Sequence, residues 1–414
     1  MTVRAPVVVA LTSATLAACA AGSSSSTRSR IALGHATSTQ TPRQASLATP
    51  GVHHYEYVFP DGGMYVYDID HGQRLVEHLA LPGVTGIRGV AVSPATDLLY
   101  IAFGADGGPG SSGSLLAYDL IARRELWRRH YSTGVDSFAI APDGAKIYMP
   151  DGELSSDGTW NVLGARTGEI IGSIQGGLGP HNTIIGLSGS RVYLGGRNYP
   201  YLDVASTATD RVIRRIGPLR SGVRPFTING RETIAYTTAT GFLGFQVSSI
   251  TTGRVLYTVT FGPRFGWNPA AFAPTAPSHG ISLSPDERRL WVIDAPNNYV
   301  HVFDLSPVAE RPPRLIASIK LADPLTGSEA GCAYDCLRDG WLQSSRGGCF
   351  MYVGDSGDVY STTTLREVAF LPPLRNTRKM LEVDWRGGVP VATTSRSGLG
   401  YITAGSQAAS PRCQ

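Results

Sequence analysis

Two of the nine histidines in this 414-residue chain stand in short polar phrases ahead of apolar runs. His181 lies in Gly179-Pro180-His181-Asn182, and His279 in Pro277-Ser278-His279-Gly280. Neutral imidazole binds divalent metals and moves protons near neutral pH. Five more polar residues, Arg88, Asp136, Arg224, Asp339 and Lys379, hold the same place ahead of other apolar runs. If the fold brings them together, His181 and His279 with Asp136 or Asp339 could hold a divalent ion. Arg88, Arg224 and Lys379 could instead clamp a carboxylate. Three cations against two carboxylates leave a net positive pocket, which prefers an anion. The plainer alternative is a polar ring around a water-filled axis, closing hydrogen bonds between neighbouring units.

Other chemistries find little support. Gly107-Gly108-Pro109-Gly110-Ser111-Ser112-Gly113 lacks the lysine and helix of a phosphate loop and reads as a hairpin. No G-x-S-x-G elbow precedes a helix. Cys332-Ala333-Tyr334-Asp335-Cys336 is neither a redox C-x-x-C nor a haem site.

The elements that carry the polar residues form a repeat. Ala139-Ile140-Ala141-Pro142-Asp143-Gly144 leads into Lys146-Ile147-Tyr148-Met149, and Ile281-Ser282-Leu283-Ser284-Pro285-Asp286 into Leu290-Trp291-Val292-Ile293-Asp294. Val90 to Pro94 leads into Leu98 to Ile101 in the same way. Weaker copies begin near residues 182, 225, 340 and 380, so seven copies recur with a mean spacing of about 48 residues. Leu116 to Asp119 with Glu125 to Trp127, and Val300 to Asp304 with Leu315 to Ile319, supply two further strands per unit. Four short strands at that period predict the blades of a seven-bladed β-propeller, an all-β fold.

With its Ser-Pro-Asp turns, Thr-Gly turns and Tyr-Val strands, residues 55–403 resemble the YVTN-repeat, YncE-like propellers, most clearly at 114–150 and 279–305. The resemblance is more distant to lactonase propellers. It implies a ring whose first strands line a central channel, with the seven polar positions and Asn182 at the channel mouth. Residues 261–278 and 320–338 are long insertions against that pattern. Residues 55–82 are expected to complete the blade begun at Met380, and Gly398 to Ile402 competes for the same blade.

Arg4 is followed by a short apolar run ending Leu16-Ala17-Ala18-Cys19. This resembles a bacterial lipobox and predicts a signal peptide over 1–18 with lipidation of Cys19. Cleavage without lipidation is the alternative. Residues 19–50 read as a Ser/Thr-rich tether, 51–405 as the propeller and 406–414 as a tail. Four cysteines then remain for an oxidising compartment, with Cys332–Cys336 and Cys349–Cys413 the expected pairs. A net charge of +4, thinly spread, argues against nucleic acid. The expected product is an exported, membrane-tethered propeller binding a protein partner or small anionic ligand at a rim or the mouth. The alternative is a lactonase-like hydrolase or lyase using a mouth metal or the histidines.

Overall fold

Apolar runs of four to eight residues cut by glycine and proline turns favour short antiparallel strands, and the repeat phrases fold that way. A computed structural model describes residues 51–394, apart from 273, 307, 309 and 330–336, together with Cys413. The first strands of the seven units are Ile87–Ser93, Ala139–Ile140, Pro180–Ile185, Val223–Ile228, Ile281–Leu283, Trp341–Ser344 and Met380–Arg386. Blades one to six are four-stranded antiparallel sheets in simple chain order. First strands of neighbouring sheets lie against one another around a common axis, forming a seven-bladed propeller. One 3-10 turn, Pro372–Asn376, is the helical content of the described residues.

The Tyr or Trp in the middle of each second strand explains why the phrase repeats. Tyr100, Tyr148, Tyr193, Tyr236, Trp291 and Tyr352 are all buried between blades. Several of the tyrosine hydroxyls also reach the next blade. Tyr100 donates to the Ala165 carbonyl, Tyr193 to Glu232 and Tyr352 to Gln73. An aromatic body in the core with its polar tip satisfied is how buried tyrosine contributes. In all seven blades the register shifts between third and fourth strands, as at Val162/Leu163 and Val302/Phe303. Such bulges increase local twist.

Blade seven joins the two ends of the ring. Val52–Val58, Gly63–Asp68 and Arg74–Ala80 supply its second, third and fourth strands beside Met380–Arg386. Val389–Thr393 adds a fifth strand on the channel side. The N-terminal segment therefore takes the places expected of it, and Gly398 to Ile402 lies outside the described residues. Val52 to Val58 pairs continuously with Arg386 to Met380, closing the ring through backbone hydrogen bonds. A disulfide joins Cys349, in the first turn of blade six, to Cys413. Cys19, Cys332 and Cys336 lie outside the described residues.

Candidate functional site at the channel mouth

The polar residues ahead of the first strands converge because of local backbone devices. Arg88, His181 and Arg224 each sit where the first strand loses register with the second. A bulge turns a side chain out of the sheet alternation and re-aims it, here toward the axis. Asp136, His279, Asp339 and Lys379 precede their strands, at the same end of the channel. Gly280 lets His279 approach blade six: a Cβ there would stand 3.0 Å from Leu342 N and Trp341 C. A parallel bridge between Ser137 and Asn182 draws blades two and three together.

Two histidine–aspartate pairs face each other in this ring. His181 Nδ1 lies 2.7 Å from Asp136 Oδ2. His279 Nδ1 lies 3.1 Å from both Asp339 Oδ1 and the Gly340 carbonyl. Carboxylate and carbonyl oxygens only accept, so Nδ1 carries a proton in both rings, and Nε2 is the nitrogen left out of these contacts. The two imidazole centroids are 6.2 Å apart and tilted by 36°. Burial pushes the His279 imidazole down to about 4 despite Asp339, so it is neutral at pH 7. Burial would raise Asp339, but Arg378 and His279 outweigh it and hold its carboxyl at about 2. Asp136 is likewise held below the usual carboxylate range against its burial, by His181 above all.

A second set of residues, missed by reading first strands alone, comes from the loops after the second strands and between blades. Glu153 Oε2 takes Arg224 at 2.5 Å and Arg197 at 3.2 Å, and lies 3.8 Å from His181 Nδ1. Its carboxyl is buried, yet Arg224, His181 and Arg197 hold it well below the usual range. Arg88 pairs with Asp106 at 3.2 Å. Arg378 meets Asp339 at 2.5 Å and Glu329 at 3.1 Å, with Asp355 at 3.8 Å. Asp355 accepts from the backbone N–H groups of Asp339 and Gly340, fixing the start of blade six. Burial and Glu329 push its carboxyl well up. The glycine-rich loop packs against this layer: a Cβ on Gly107 would stand 2.7 Å from Ser155 N, and one on Gly152 would strike the Asp106 backbone at 2.2 Å. Close packing there sets Asp106 and Glu153 beside the mouth. A signal for this layer exists. Asp61, Asp106, Asp151, Asp294 and Asp355 all fall at, or within three residues of, the end of a second strand.

These loops change the charge balance. Arg197 and Arg378 join Arg88, Arg224 and Lys379, while Asp106, Glu153, Glu329 and Asp355 join Asp136 and Asp339. The positive surplus expected from the first-strand positions is thereby cancelled. Lys379 sits on the same rim, close enough to Asp61 to offset part of that group's burial. What stands out instead is unmet hydrogen-bonding capacity. His181 Nε2, both ends of the Asn182 amide and Arg224 Nε are buried without a partner. All three residues are at most 5% exposed. Buried polar atoms are paired in the great majority of cases, so this cluster has hydrogen-bonding capacity that a water, an ion or a small molecule could meet.

No protein-family model matches this chain, and no curated protein is significantly similar to it. The likeness to YVTN-repeat propellers accordingly rests on the blade phrases, and what the structure bears out is the seven-bladed fold.

A second carboxylate–histidine group lies at the ring closure. His54 Nδ1 is 2.8 Å from Asp384 Oδ1 and 3.6 Å from Glu382 Oε1, and the three ligand-type atoms could surround a metal ion. Hydrogen bonds to Asp384 and Glu382 raise His54 to about 10, so it is already the cation there. Arg346 adds a second positive charge 3.1 Å from Asp384 Oδ2. Glu56, opposite Glu382 in the strand pairing, is pushed well up by its burial and by Glu382. This group reads as a charge-balanced clasp between the two ends of the ring.

Proposed function

We propose that this protein is a ligand-binding propeller whose site is the channel mouth, and that it takes a small ligand bearing a carboxylate. The observation that carries this reading is the set of unpaired buried atoms on His181, Asn182 and Arg224. Arg224 Nε and the Asn182 amide nitrogen are donors for a carboxylate, and Asn182 Oδ1 is left to accept from a neighbouring hydroxyl or amine. The close burial of these residues favours a ligand of few atoms.

Asn182→Ala provides the clean test. Because its amide has no protein partner, removing it deletes two unsatisfied groups and leaves no new ones. The variant should melt at the wild-type temperature or slightly above. Its affinity for whichever compound in a panel of small mono- and dicarboxylates stabilises the wild type should drop at least about tenfold, the loss of one buried hydrogen-bonding group. Unchanged affinity would remove the mouth as the site.

The leader and Leu16-Ala17-Ala18-Cys19 support an exported form anchored through a lipid on Cys19. Metabolic labelling with a palmitate analogue should mark the wild type and not Cys19→Ser. Equal labelling of both would exclude the anchor.

A further inference from the structure

We infer that the mouth is a transition-metal site in which Nε2 of His181 and Nε2 of His279 hold one divalent ion, with the carboxylate ligand completing its coordination. The inference rests on the mouth being the binding site and names the chemistry that operates there.

Three buried histidines of this propeller lie against a carboxylate, and they differ in what is left over. His301 uses both ring nitrogens, Nδ1 with Ser318 at 2.9 Å and Nε2 with Asp294 at 3.1 Å. It is saturated and pins the 261–268 loop through contacts with Phe261 and Phe265. His181 and His279 are bound through Nδ1, and His181 Nε2 is buried with no partner. A carboxylate on the far nitrogen of an imidazole fixes its tautomer and raises its basicity, as seen behind metal-bound histidines. Here each ring has its own carboxylate on Nδ1, Asp136 for His181 and Asp339 for His279.

The spacing suits one ion. Two imidazoles bound at about 2.0–2.1 Å to one metal place their ring centroids roughly 5–6.5 Å apart, depending on the angle at the metal. The observed 6.2 Å lies at the wide end of that range, so the rings stand wider apart than a tetrahedral angle of about 109° requires and would close by roughly 1 Å on a tetrahedral ion. Asn182 Oδ1, buried beside His181, is an available oxygen donor. Imidazole donors favour zinc, copper, nickel and cobalt over magnesium or calcium. The His54 group differs, because Asp384 and Glu382 both crowd its Nδ1 and hold the ring as a cation, which leaves no lone pair for a metal, and Arg346 already neutralises Asp384.

The test titrates the full-length, chelator-treated protein with cobalt(II) alone and zinc(II) alone, by calorimetry and visible absorption. One equivalent of cobalt should bind with imidazole-type absorption, and zinc should displace it. His181→Gln and His279→Gln should each weaken binding at least about 100-fold. Asp136→Asn should weaken it about 10–100-fold, the usual effect of losing a partner behind a ligand. His54→Gln should leave it unchanged. Should the mouth variants fold poorly, nitrogen-15 spectra of the wild type give an independent readout. Cobalt should then shift or broaden the imidazole signals of His181 and His279 and spare those of His54 and His301. Absence of binding at micromolar metal, or binding abolished by His54→Gln alone, overturns the inference. If a carboxylate still binds through Asn182 in metal-free protein that takes up no metal, the metal falls and the mouth site stands. If neither binds, both fall.

Discussion

Replacing Arg378 with methionine should destabilise the propeller by about 3–5 kcal/mol at pH 7, the usual result of removing one partner from a buried charge cluster. The side chain is only 11% exposed and sits among Asp339, Glu329 and Asp355. Without it Asp339 keeps its burial and loses the largest influence holding its carboxyl down. The pH dependence has a definite sign. A carboxyl lowered from 3.8 to about 2 stabilises the fold above the unfolded value, and that stabilisation is lost as pH falls through the folded one. The deficit of Arg378→Met should therefore be largest at neutral pH and shrink below about pH 4. Adding Asp339→Asn to the variant should restore part of the loss. Urea unfolding at pH 7 and pH 3.5 measures both effects. A change under about 1 kcal/mol at pH 7 would show that the three carboxylates are accommodated without the guanidinium.

The second large effect is expected at the ring closure. His54→Ala should cost about 2–3 kcal/mol at pH 7, below the usual range for a fully buried pair because its side chain is 24% exposed. His54 sits on the N-terminal strand, while Glu382 and Asp384 sit on the last blade's first strand, so the loss falls on the joint that holds the ring shut. The folded pKa is raised from 6.5 to about 10, so the native state keeps a proton that the unfolded chain releases. The contribution is complete below about pH 6.5 and disappears as pH rises toward 10. Wild type should lose stability over that window, and His54→Ala should lose less. Denaturation curves at pH 6, 8 and 10 give the comparison. Parallel curves for the two proteins would remove His54 as the group that titrates.

The mouth was partly legible in the chain. Reading the residue ahead of every first strand brought out Arg88, Asp136, His181, Asn182, Arg224, His279, Asp339 and Lys379, and the fold places them at one end of the axis. Glu153, Arg197, Glu329 and Arg378 were not found that way. They lie on loops whose lengths differ from blade to blade, so no fixed offset from the repeat points to them. With Asp106 and Asp355 the carboxylates of this layer outnumber its two arginines, Arg197 and Arg378, and leaving them out is why the mouth read as net positive.

What the sequence determined by itself is the architecture. Strand periodicity, turn residues and the aromatic in each second strand are local or repeat at a nearly constant interval, and a closed ring follows once the blade count is known. Only the tertiary structure decided the chemistry. Whether His181 and His279 are spent, like His301, or keep a free nitrogen depends on which groups arrive from other blades. Those distances are set by ring closure and by the packing of irregular loops, which join residues far apart in the chain: Glu153 to Arg224, His279 to Asp339 and His54 to Asp384. Charges buried at such junctions take their protonation state from their neighbours across the ring, and their positions along the chain carry no record of it.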